Sequence, residues 1–136
     1  MKRVHKARIL VMDDEQIVRQ VAGRMLNHIG YEDIEFAEDG ARAVELYKAA
    51  LESGRPFTVC ILDLTVPGGL GGEEAIGELR RIDPGVKAIV SSGYADQSIM
   101  AGYKEYGFSG MVAKPYTIEE LGKVIYDVIG NEVNDG

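Results

Sequence analysis

Residues 57–62, Phe-Thr-Val-Cys-Ile-Leu, form a nearly continuous apolar run that stops at Asp63. A run of this length and composition is what a strand buried on both faces of a parallel sheet shows. Parallel strands need crossover connections, usually helices, and those helices cover the two faces of the sheet. The rest of the chain must therefore supply further strands of the same kind, each joined to the next by an amphipathic helix.

The periodicity does so. Residues 8–12 are a first apolar run. A helical pattern follows, with Ile17, Val18, Val21, Met25 and Ile29 on one face and Gly30 at its end. Residues 32–37 alternate like a strand, and residues 41–51 return to helix, burying Val44, Tyr47 and Leu51. A glycine-rich loop after Asp63 leads to a helix over residues 73–82, stopped by Asp83-Pro84-Gly85. Residues 86–90 are a fourth strand. Asp96 or Ser98 can cap a helix running to about residue 106, and residues 108–113 are a fifth strand. Thr117 opens the last helix with Glu120 three residues on, a capping box, and Leu121, Val124, Ile125, Val128 and Ile129 form its buried face. Five strand–helix units predict an α/β fold, a doubly wound five-stranded parallel sheet with helices on both faces. The 136 residues suit one domain, placed at 8–130 between polar tails at 1–7 and 131–136.

Charge narrows the partners. The net charge is −7, and no basic stretch is long enough to track phosphates, so nucleic acid is not an expected partner. Lys2, Arg3, Lys6 and Arg8 read as a solvated tail. Cys60 is the only cysteine and lies inside the apolar run, which predicts a buried structural thiol. His5 and His28 are isolated and read as surface histidines without zinc-ligand spacing. No apolar segment approaches the roughly 18 residues that span a bilayer, and the N-terminus lacks a signal-peptide pattern. A cytoplasmic setting without direct membrane contact is the expectation. The sequence leaves oligomeric state open, a monomer included.

Ligands of open α/β sheets bind at the carboxyl ends of the strands, so the residues ending each strand matter most. The first strand ends in Asp13-Asp14, the third in Asp63, the fourth in Ser91-Ser92 and the fifth in Lys114-Pro115. Three carboxylates at one edge repel, at roughly 4 kcal/mol per pair for 4 Å and an effective dielectric of 20. A hard divalent cation offsets that, and all-oxygen ligation points to magnesium or calcium. Magnesium takes one or two carboxylates and leaves room for a phosphate oxygen. Lys114 adds a positive charge for the same phosphate, and Ser92 can donate to it. Singly, an Asp-Asp is often a helix cap and a Lys-Pro a turn; jointly, these residues describe a phosphoryl-transfer site.

The set resembles the receiver domain of response regulators in two-component signalling, over residues 8–129. The residues that carry the likeness are Leu10-Val11-Met12-Asp13-Asp14-Glu15, Ile61-Leu62-Asp63-Leu64 with Pro67, Val90-Ser91-Ser92-Gly93-Tyr94, and Ala113-Lys114-Pro115-Tyr116. The resemblance implies a flavodoxin-like sheet of order 2-1-3-4-5 with five helices. It implies that Asp63 accepts a phosphoryl group from a phosphohistidine on a histidine kinase or histidine phosphotransfer domain. It gives magnesium or manganese as cofactor, held by Asp14, Asp63 and the backbone carbonyl of Thr65, with Asp13 acting through water or positioning Asp14. Ser92 and Lys114 would bond the phosphoryl group, Tyr94 and Thr65 would tune its hydrolysis, and the Lys114-Pro115 peptide would be cis. A receiver is a phosphoacceptor rather than an enzyme turning over a substrate. The motifs around Asp63 and Ser92 look most like receivers of hybrid sensor histidine kinases; a free-standing regulator is the alternative, and a parent kinase could be membrane-anchored.

Two departures stand out. Met111 occupies the position where family members often carry Tyr or Phe, so the aromatic switch coupled to Ser92 does not carry over with the resemblance, and Tyr94, Tyr106 or Tyr116 is the alternative reporter. The loop Pro67-Gly68-Gly69-Leu70-Gly71-Gly72 is about one residue longer than usual, and its glycines permit unusual backbone angles. It lacks the Gly-Lys-Ser/Thr ending of a P-loop. A haloacid-dehalogenase phosphatase would need a second Asp two residues after the nucleophile, where this chain has Thr65. A receiver-like module that is never phosphorylated is the other rival.

Overall fold

The computed structural model describes residues 4–93, 101–130 and 133–134. The apolar run becomes strand β3 (Val59–Asp63), and every residue of it is buried. It lies inside a sheet of β1 (Val4–Met12), β2 (Tyr31–Ala37), β4 (Ala88–Ser92) and β5 (Gly110–Ala113), in the order β2-β1-β3-β4-β5 with all neighbours parallel. Four α-helices accompany them among the described residues: α1 (Gln16–Ile29), α2 (Gly40–Glu52), α3 (Gly72–Ile82) and α4 (Ile118–Ile129). The fifth helix expected between Asp96 or Ser98 and residue 106 falls largely outside the described residues. Of its described part, Ala101 is helical and Tyr103–Tyr106 form a 3-10 turn closed by Gly107 at φ 104°.

Alternation along the strands divides the core in two. Leu10, Met12, Cys60, Leu62, Ala88 and Val90 face α2 and α3, where Ala43, Tyr47, Ala75, Ile76 and Leu79 cover them. Ile9, Val11, Val59, Ile61, Ile89 and Val112 face α1 and α4, where Ala22, Leu26, Leu121 and Ile125 cover them. Helix starts follow their caps. Asp39 accepts from Arg42 N–H at 2.8 Å, and Thr117 and Glu120 exchange the two bonds of the capping box at 3.1 and 2.9 Å.

The structure corrects several boundaries and faces. α1 buries Ala22, Gly23 and Leu26, while Ile17 is 73% and Val21 42% exposed. Ile17 and Val21 therefore do not belong to the buried face; small residues let α1 sit close to the sheet, and Gly23 lies against the Phe36 ring. In α2, Ala43 and Ala50 flank the buried Tyr47, with Val44 and Leu51 only partly covered. β1 begins at Val4 rather than at residue 8, and Val133–Asn134 add a short antiparallel strand, β6, beside Val4 and His5. Cys60 is a buried free thiol, its pKa pushed up by burial. His28 is exposed, whereas His5 stacks on Tyr31 with ring centroids 4.4 Å apart.

Arg8 is not part of a solvated tail either. It pairs with Asp33 at 3.2 Å and with Glu35, donates to the Arg55 carbonyl and lies 4.5 Å over the Phe57 ring. This network ties β1, β2 and the start of β3 together at the amino-terminal edge of the sheet.

Candidate functional site

β1, β3 and β5 all end at the opposite edge, where Asp13 just after β1, Asp63 closing β3 and Lys114 just after β5 converge. Lys114 Nζ lies 2.9 Å from Asp13 Oδ2 and 3.2 Å from Asp63 Oδ1. Asp13 is 2% and Asp63 5% exposed, while Asp14 is exposed. One carboxylate oxygen from each of Asp13, Asp14 and Asp63 lies within 4.8 Å of the others, a group that could hold a metal ion. Asp14, Glu15, Asp63, Thr65, Pro67, Gly93 and Lys114 line an open cleft of about 360 Å³.

The cluster is held from below. Asp13 Oδ1 accepts from Glu15 N–H at 2.9 Å, and Arg19 Nη1 donates to the Asp13 carbonyl at 2.7 Å. Asp13 thereby tethers Glu15 just before α1, but α1 carries no side-chain cap, so the pair does not act as a helix cap. After β3 the loop turns back tightly. Gly72 N–H donates to Leu64 O at 3.0 Å and Gly40 N–H to Leu70 O at 2.7 Å. A Cβ on Gly71 would come 2.5 Å from Leu64 O, and one on Gly72 2.7 Å from Asp63 O. These two glycines serve close backbone approach, and in the loop only Gly68 uses a positive φ, 73°. Glu74 then accepts from Gly71 N–H at 2.9 Å to start α3.

Burial, and next the negative charge of Asp13, push the Asp63 carboxyl from 3.8 up to about 6, with Lys114 opposing. Burial pulls the Lys114 ammonium down, but its bond to Asp13 and the charge of Asp63 outweigh that and raise it. Tyr116, half-buried beside the cluster, is also raised, by burial first and then by Asp13.

Ser92 is 2% exposed at the end of β4, and its Oγ has no hydrogen-bond partner. The Lys114–Pro115 peptide is cis, as the likeness implies. Met111 is partly buried against the core that holds Leu62, Val90 and Tyr103, facing away from the carboxylates. Tyr94 lies outside the described residues. Sequence reasoning missed Arg19, whose position one helical turn past the acidic pair was the available signal. It also missed Ser91, buried with its Oγ unpartnered.

Residues 9–126 match the response regulator receiver domain model, and the chain belongs to that family. It is 32% identical over 121 residues to the chemotaxis protein CheY of Thermotoga maritima, covering 86% of this chain and 96% of that protein. It is 27% identical over 123 residues to the sensor kinase CckA of Brucella abortus, covering 90% of this chain but 12% of that protein. The crystal structure of a response regulator receiver domain protein from Clostridium thermocellum aligns with a TM-score of 0.79 at 26% identity, over 90% of this chain and 94% of that one. The chain is thus a receiver domain of the two-component phosphorelay with an acidic cluster at the phosphorylation site. Receiver domains are phosphoacceptors that interact with histidine kinases or phosphotransfer partners. No helix among the described residues is long and apolar enough to cross a membrane.

Proposed function

We propose that Asp63 accepts a phosphoryl group from a phosphohistidine on a histidine kinase or histidine phosphotransfer domain in the cytoplasm, and that the modified domain presents an altered partner-binding surface. The observation that carries this is the sharing of Lys114 between Asp13 and Asp63 in a cluster of three carboxylates beside an open cleft. A purely structural edge has no need to gather three carboxylates, two of them sharing one ammonium. Asp14, Asp63 and the Thr65 carbonyl would hold magnesium or manganese, with Asp13 assisting; the hard oxygen donors and the net negative charge suit such an ion. When bound, the ion neutralises charge on the cluster and on the phosphoryl oxygens.

The protein's own steps are few. An Asp63 carboxylate oxygen attacks phosphorus as the P–N bond to the imidazole breaks, and the electron pair leaves with the imidazole. Lys114 exchanges its carboxylate partner for a phosphoryl oxygen, and Ser92, whose hydroxyl has no partner at rest, donates to another. Water then hydrolyses the acyl phosphate, at a rate that Thr65 and Tyr94 tune. The new charge, close to two units, draws Ser92 and Lys114 toward it, and the surface of β5 and α4 changes with them.

The phosphodonor must reach Asp63 across the cleft. The exposed Ile17 and Val21, with Val18, Met25, Pro115 and Tyr116, form an apolar surface beside it that suits a donor's helix. Likeness to both a chemotaxis regulator and a sensor kinase fits either a stand-alone regulator or the receiver of a hybrid sensor kinase. Acetyl phosphate with magnesium, followed by intact mass, tests the central claim. One added phosphoryl group, absent in Asp63→Asn, is expected. No gain, or a gain that survives the substitution, refutes it.

A further inference from the structure

Ser91 places a hydroxyl where the alternation of β4 reserves room for an apolar side chain. Its register partners are Asp63 on β3 and Val112 on β5. Register partners in a parallel ladder project from the same face. Ile61, Ile89 and Val112 all belong to the core beneath α1 and α4. Ser91 therefore stands on the Asp63 side of the sheet, while Ser92 alternates to the other. It is 3% exposed, and its Oγ is buried without a hydrogen-bond partner. An unpaired buried hydroxyl is costly and calls for an explanation. Alanine or valine would fill the same space without that cost.

We propose that the Ser91 hydroxyl is a donor to the Asp63 carboxylate and sets the lifetime of the phosphorylated state. This rests on Asp63 being the phosphoacceptor. Lys114 approaches Oδ1 of Asp63 from β5, so Ser91 serves the carboxylate from the adjacent strand. Neighbouring strands lie about 4.8 Å apart, and a change of χ1 rotamer swings the hydroxyl toward Asp63. In hydrolysis, water oxygen bonds to phosphorus and the P–O bond to Asp63 breaks. The electron pair returns to the carboxylate, and orthophosphate leaves while the displaced proton passes to it or to solvent. A hydroxyl bonds a carboxylate more strongly than the neutral carbonyl of an acyl phosphate. The Ser91 bond therefore strengthens as charge returns to Asp63, which speeds hydrolysis.

The test uses the full chain as wild type, Ser91→Ala and Ser91→Thr, each loaded with acetyl phosphate and magnesium and then desalted. Loss of the added phosphoryl mass gives the decay rate, and urea unfolding checks that each variant is folded. The alanine variant should decay about tenfold more slowly, the scale of one hydrogen bond to a charged group. The threonine variant, which keeps the hydroxyl, should stay within about twofold of wild type on the same scale. If the alanine variant does not fold, Ser91→Val repeats the test with the space filled. Decay in the hydroxyl-free variant at the wild-type rate or faster overturns the proposal, as does a threonine variant as slow as alanine. If wild type itself gains no phosphoryl group, the phosphoacceptor reading fails and the role of Ser91 falls with it.

Discussion

Replacing Asp63 with Asn should stabilise the metal-free protein, by an amount that grows with pH. Asp63 is 5% exposed, and burial together with the charge of Asp13 lifts its carboxyl from 3.8 to about 6. A carboxyl raised in the folded state favours folding while it is protonated. That contribution is complete below pH 3.8 and is lost as pH rises through about 6. An interval of about 2 on the pH scale, at about 1.4 kcal/mol per pH unit, amounts to roughly 3 kcal/mol. Asparagine keeps the shape and never ionises. The unfolding free energy of Asp63→Asn minus that of wild type should therefore be roughly 3 kcal/mol larger at about pH 8 than at about pH 3.5. Urea unfolding across that range in the presence of a chelator measures it, with a constant slope showing that only stability changed. A difference that stays flat with pH, or shrinks as pH rises, would refute the reasoning. Magnesium should then favour wild type over the variant, by about 2.7 kcal/mol at a hundredfold excess over its dissociation constant.

Three further substitutions probe the frame of the site. Lys114→Met leaves Asp13 and Asp63 facing each other without a counter-charge, and should cost about 2–4 kcal/mol at neutral pH in urea unfolding. It should also tighten magnesium binding in calorimetry, because the ion no longer competes with an ammonium. Gly72→Ala puts a methyl 2.7 Å from the Asp63 carbonyl oxygen; a loss of about 1–3 kcal/mol by thermal unfolding, with weakened magnesium binding, is expected. Arg8→Met strips Asp33 and Glu35 of their shared partner at the far edge of the sheet. It should cost about 1–3 kcal/mol while leaving the rate of phosphorylation by acetyl phosphate unchanged.

The carboxylate edge was legible in the sequence because short apolar strands stop sharply at polar residues. Asp13, Asp63 and Lys114 each follow such a stop, and a parallel sheet brings the stops together. Thr117 and Glu120 were legible for a similar reason, since a capping box is local. The α1 face was not. Ile17, Val21 and Met25 repeat with helical period, but so do Ala22 and Leu26, and periodicity cannot say which of two apolar stripes meets the sheet. Arg8 was misread because its partners, Asp33, Glu35 and Arg55, lie 25 or more positions away and are joined only by strand register. Ser91 was passed over for its neighbour because two adjacent serines at a strand end differ only in the face they take, and that depends on the register with Asp63.

The meeting of Val4 with Asn134 bears on how such a domain is wired into a larger machine. β6 runs antiparallel to the start of β1, so the two ends of the fold emerge side by side at the edge remote from Asp63. Polypeptide spliced in before or after these residues would share a single anchorage point. Pull, tumbling or tethering there would act on the Arg8 network and leave the acidic edge unobstructed.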